Sequence, residues 1–172
     1  MATFPSLGEM EEQTQHGKEV SFMKEVCSFV ELIIDKLTLG PTNFGQYPVH
    51  RQKHSLVNML LVFIQHGSLP LALSIVEQLT ESLETFCGAL NQSQQTGELV
   101  GSDWFENSYF VIQAMELTLV LWLRDCPVHP GLLQELQSRL DNCLVGITDR
   151  FPLVAQAVWK LTSIIETILQ NR

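Results

Sequence analysis

The chain has 172 residues, 45% of them hydrophobic and 17% charged, and a formal net charge of −9. That length fits one domain with a sizeable core, and the hydrophobic fraction excludes a disordered chain. The negative charge opposes direct contact with a nucleic-acid backbone, which demands Lys and Arg on the contacting face, while the low charged fraction leaves apolar surface for a protein partner.

Residues 1–17 mix Gly, Pro, Ser, Glu and Gln with isolated apolar residues and read as a flexible leader ahead of a single helical domain over 18–172. The start has no basic segment followed by an apolar one, so no secretory signal is expected. The longest unbroken apolar run, residues 59–64, is too short to span a bilayer. Cys27, Cys87, Cys126 and Cys143 lie far apart with no C-x-x-C pair, which predicts reduced core or half-core thiols in the nucleus or cytosol.

A first helix is predicted over 19–37, where Val20, Phe22, Met23, Val26, Cys27, Phe29, Val30, Ile33, Ile34 and Leu37 recur at helical spacing before Gly40 and Pro41. Pro48 opens a second helix, which runs to His66 and closes at Gly67. Ser68 and Pro70 open a third, whose core stripe reaches Phe86 and stops at Gly88. Residues 91–102, polar and Gly-bearing, read as the one substantial loop.

The fourth helix, 103–124, begins with Asp103 and Glu106 as a capping box, Ser102 being the alternative cap. From Phe110 to Leu123 only Gln113, Glu116 and Thr118 interrupt the apolar residues, so neighbours must cover this helix on several sides. After a rigid turn at 126–131, a fifth helix spans 132–145 with Leu133, Leu136, Leu140, Cys143 and Leu144 facing inward, and Gly146 stops it. Asp149 caps a sixth helix that carries Pro152 in its first turn and runs to the C terminus. The layout predicts an all-α fold of about six helices in antiparallel hairpins, two with three and four with five. Such a chain forms a short HEAT- or armadillo-like array or an irregular helical bundle.

Candidate sites are few. His50 and His54 share one helix face at metal-ligand reach, but Arg51 stands where a zinc protease would carry Glu, and no third ligand is evident. With Arg51 and Lys53 the segment is the densest basic cluster, either a solvated first turn or a contact for an acidic partner. Glu77, Glu81 and Glu84 recur at i, i+4 and i+7 as an acidic ridge, either a solvated face or a docking strip for a basic protein surface. Trp104, beside the polar loop, is the aromatic contact candidate, with Phe110, Trp122, Phe151 and Trp159 expected in the core. No nucleophile elbow, phosphate loop, zinc-protease motif, calcium loop or dinucleotide fingerprint occurs, so no catalytic residue, metal or cofactor is predicted.

Glu106-Asn107, the aromatic pair Tyr109-Phe110 and Glu116 resemble the penultimate block of the meiosis-specific Mei-four family, and Phe151-Pro152-Leu153 with Trp159 and Lys160 resembles its C-terminal block. With the spacing between them and the Ser-Leu turn around 67–69, the resemblance covers roughly 44–169. It implies a non-enzymatic accessory factor for programmed DNA double-strand breaks and recombination in meiosis, in the nucleus on the chromosome axis. The implied partners are a pleckstrin-homology-like protein and the topoisomerase-like nuclease machinery. The N-terminal helix by which that family docks the pleckstrin-homology-like partner, and the Ser-rich linker after it, have no counterpart here, which leaves Trp104, Glu106, the acidic ridge, Arg51 and Lys53 of the helical array as candidate contacts. The readings set against this one are a general helical adaptor unrelated to meiosis and a small metal-binding enzyme using His50 and His54.

Overall fold

The computed structural model describes residues 7–39, 49–97, 102–145, 147 and 150–171, with the side chains of 7–16, 19–20, 39, 49–51, 94 and 102–103 outside that description. Every element in it is a helix: α1 (Leu7–Leu39), α2 (Val49–His66), α3 (Leu69–Thr96), α4 (Ser102–Arg124), α5 (Pro130–Leu144) and α6 (Pro152–Gln170). The fold is all-α. Among the described residues no helix is long and apolar enough to cross a membrane.

Backbone contacts divide the chain into two units, Met1–Leu32 and Ile33–Arg172. The smaller unit is helical from Leu7, well before the expected start at 19, because residues 9–13 are strong helix formers that extend the ladder backwards. Phe22, Met23, Phe29 and Cys27 of the expected apolar stripe are exposed. In the larger unit Ile33, Ile34 and Leu37 are buried.

Within that larger unit α4 is the hub, packing on α2, α3 and α6. Phe110, Val111, Ile112, Ala114, Met115, Thr118, Leu119 and Trp122 are all buried, which is why the segment is apolar around most of its circumference. α2 packs on α3 as expected. α3 also packs on α4 and α5 on α6, whereas α5 meets α3 rather than α4 among the described residues. The expected hairpin of helices four and five therefore gives way to a bundle. The turn at 125–129 carries the chain away from α4, and Val128, buried beneath it, anchors the departure.

Local chemistry sets the helix ends. The Leu71 amide donates to Ser68 Oγ at 3.3 Å and Pro70 occupies the first turn of α3. Gly67 makes the tight entry possible, since a Cβ there would stand 2.3 Å from the Phe63 carbonyl oxygen. α3 then passes straight through Gly88 and ends only at Gly97, whose φ of 75° is the left-handed cap conformation. A helical Gly costs about 1 kcal/mol relative to Ala, but continuing the helix buries Leu90 completely, worth about 1.5–3 kcal/mol. Burial wins, so the expected loop at 91–102 is helical through Thr96. At α5 the cap is His129, whose Nδ1 accepts from the Gly131 amide at 3.0 Å. The expected Asp149 cap of α6 is replaced by Phe151, which makes no side-chain cap hydrogen bond, and the stops and caps expected at Gly40, Pro41, Gly146, Ser102 and Asp103 fall outside the described residues or side chains.

Candidate functional site around the seam of α4 and α6

The two sequence blocks singled out above meet where α4 lies against α6. Lys160 Nζ on α6 is 2.7 Å from Glu116 Oε1 on α4. Phe151, at the start of α6, packs on Phe105 with ring centroids 6.1 Å apart. Phe105 in turn meets Trp104 edge to face at 5.6 Å, and Trp104 meets Phe86 of α3 at 4.8 Å. A chain of aromatic rings thus ties the first turns of α4 to α3 and to the start of α6, and it holds Trp104 half-buried; Glu106 is half-buried as well.

Trp159 is not a core residue. It is 61% exposed, on the outer face of α6, with Leu153 80% exposed in the first turn. The buried stripe of α6 is Ala155, Val158, Leu161, Thr162, Ile165 and Ile168, which fills the wedge between α4 and α5. Trp159 falls one position, about 100°, past Val158 and so turns outward. Thr162 and Ser163 both donate to its carbonyl oxygen, at 2.8 and 3.0 Å, so its backbone is held while its indole faces solvent. Tyr109 of α4 is also exposed.

Lys53 goes the other way. It is 2% exposed, its ammonium donating to the Leu37 carbonyl in the last turn of α1 at 3.2 Å and to Asn107 Oδ1 of α4. It lies 5.9 Å from the centroid of the Phe110 ring, against which His54 packs edge to face at 5.1 Å. A cation that opposes the dipole of α2 is thereby applied to the carbonyl end of α1, where the dipole favours it. Lys53 is a structural clasp, closed to an acidic partner. The side chains of His50 and Arg51 lie outside the described residues, and among those described no three His, Cys, Asp or Glu groups are placed to hold a metal ion.

The acidic ridge is partly answered from within. Arg139 of α5 forks between two of its members, reaching Glu77 Oε2 at 2.6 Å and Glu84 Oε1 through its other terminal nitrogen. The hydrogen bonds to Glu84 and then Glu77 raise the already high pKa of the guanidinium. Glu81, between them in sequence, is left facing solvent. Because the carboxylates are about half exposed, Arg139→Ala is expected to cost under about 1 kcal/mol in urea denaturation. A loss several times larger would mean that this fork clamps α3 to α5 rather than merely dressing their surface.

Sequence reasoning missed the Lys53 clasp and Arg139. The first had a signal: Lys53, Val57, Leu60 and Ile64 keep one i, i+4, i+7, i+11 stripe. Arg139 had none, since its partners are distant in sequence. Compared with protein-family models, with curated proteins and with solved structures, the chain matches none.

Proposed function

We propose that this protein is a scaffold or accessory factor in programmed meiotic double-strand-break formation and homologous recombination, acting in the nucleus on the chromosome axis by contact rather than by catalysis. The observation that supports the reading is the Glu116–Lys160 ion pair, which joins the two blocks resembling the Mei-four family into one seam. Among their other members, Asn107 and Phe110 are interior, Glu106 and Phe151 half-buried, and Tyr109, Pro152, Leu153 and Trp159 exposed. An exposed Trp on a helix is the kind of residue enriched at binding hot spots. The net charge of −9 favours protein over nucleic acid as the direct partner.

The experiment is affinity capture from meiotic tissue with the full chain and with Trp159→Ala. The full chain should recover the pleckstrin-homology-like partner or the topoisomerase-like nuclease subunits. Trp159→Ala should recover them at least several-fold less while melting at an unchanged temperature, because the indole is already in water. Recovery of no break-forming protein by the full chain overturns the proposal.

A further inference from the structure

Two of the four thiols converge. Cys87 on α3 and Cys143 on α5 are 4% and 7% exposed, on helices that pack together, and both are free thiols lining one cavity of about 210 Å³. Their side chains are near enough for each to shift the other's ionisation. The cavity is not sealed: Gly88 and Val145 line it and are exposed, and at Gly88 a side chain would meet nothing within 4 Å. A small solute can therefore reach sulfurs that the helices otherwise cover. A structural pair of cysteines needs no such opening.

We propose that Cys87 and Cys143 form a peroxide-sensitive dithiol, whose oxidation to a disulfide by hydrogen peroxide or an alkyl hydroperoxide ties α3 to α5.

The two thiols differ in role. The neighbouring Cys87 side chain lowers the Cys143 pKa, and the Arg139 charge adds to this against the opposing effects of burial and Glu84. Cys143 in turn, with burial, pushes the Cys87 thiol up, so Cys87 keeps its proton. Cys143 is the attacking sulfur. Its thiolate takes the distal oxygen of the peroxide, the O–O bond breaks, and the leaving hydroxide or alkoxide picks up a proton, leaving a sulfenic acid on Cys143. The Cys87 sulfur then attacks the Cys143 sulfur and gives up its proton, and the S–O bond breaks to release water. With hydrogen peroxide, two thiols and one peroxide give one disulfide and two waters. The two electrons lost by sulfur reduce the peroxide, and a thiol reductant reverses the change.

The test is peptide mapping by mass spectrometry of the whole chain after a stoichiometric dose of hydrogen peroxide, with free thiols alkylated and no reductant present. The expected product is a peptide pair cross-linked through Cys87 and Cys143 and lighter by two hydrogens, formed ahead of any change at exposed Cys27 and returned to thiols by dithiothreitol. In Cys87→Ser, Cys143 should stop at a sulfenic acid that dimedone traps, and in Cys143→Ser the Cys87 thiol should stay unreacted. Should either variant fail to fold, the mapping of the unaltered chain still decides. Cross-links through Cys27 or Cys126 instead, or two thiols that survive the peroxide unchanged, overturn the proposal.

Discussion

Asn107→Ala is expected to lower the unfolding free energy by about 1.5–3 kcal/mol, the range for losing a hydrogen bond to a charged group. Lys53 brings its ammonium into a region where the side chain is 2% exposed, and the acceptors that receive it include the Leu37 carbonyl and Asn107 Oδ1. Removing the amide leaves a buried charge with fewer acceptors, and desolvation sets the scale of the loss. Lys53→Met is the informative partner variant. It removes the charge along with its desolvation cost and keeps most of the packed volume, so it should cost less than Asn107→Ala despite deleting the donor itself. Urea denaturation of both single variants and the double variant closes the cycle, and the double should cost less than the sum because the two side chains contact one another. A loss below about 0.5 kcal/mol for Asn107→Ala, the usual range for surface changes, would show that the clasp does not bear on stability.

How far such a clasp can be read from sequence depends on which physical effect is local. All-helical structure was legible because it is written in spacing: the stripes of α3 and α5 are the stripes that the fold buries, whereas Met59 and Val62 of α2 and Leu153 of α6 are apolar yet exposed. Caps made by neighbours in sequence were legible at Ser68 but not at His129, since His is a rarer cap and its role depends on the backbone angle before Pro130. Gly88 was misread as a terminator because the cost of a helical glycine is local, whereas the burial of Leu90 that outweighs it depends on neighbouring helices. Trp159 was misread for the converse reason: hydrophobic character says that burial is favourable, but only the wedge between α4 and α5 determines which apolar residues fit. The acidic ridge had the right spacing, yet its countercharge, Arg139, is visible only once α3 and α5 are side by side. Of the candidate site, the residues were legible and their partition into interior and surface was not.

The larger loss belongs to Trp122. It is 5% exposed near the end of α4, and it lines two cavities, one of about 370 Å³ with Val76, Leu133 and Leu136, the other of about 430 Å³ with Ile64, Ala72 and Leu121. The indole is thus a shared wall, and Trp122→Ala should open one space into the other. The expected cost is about 3–5 kcal/mol, at the upper end if the surrounding helices cannot close the gap. α4 is packed on three other helices, so it has little freedom to shift into the void. Trp122→Phe keeps an aromatic wall and should cost less than Trp122→Ala. Thermal and urea unfolding measure both, and an unchanged melting curve for Trp122→Ala would refute the assignment of this side chain to the core. Set beside Trp159→Ala, the experiment separates the two uses of tryptophan in this chain. Loss of the α4 indole should lower the melting temperature, whereas loss of the α6 indole should leave it unchanged and weaken only partner capture. A protein in which both variants lost stability equally would carry its binding surface within its core, contrary to the exposure of Trp159.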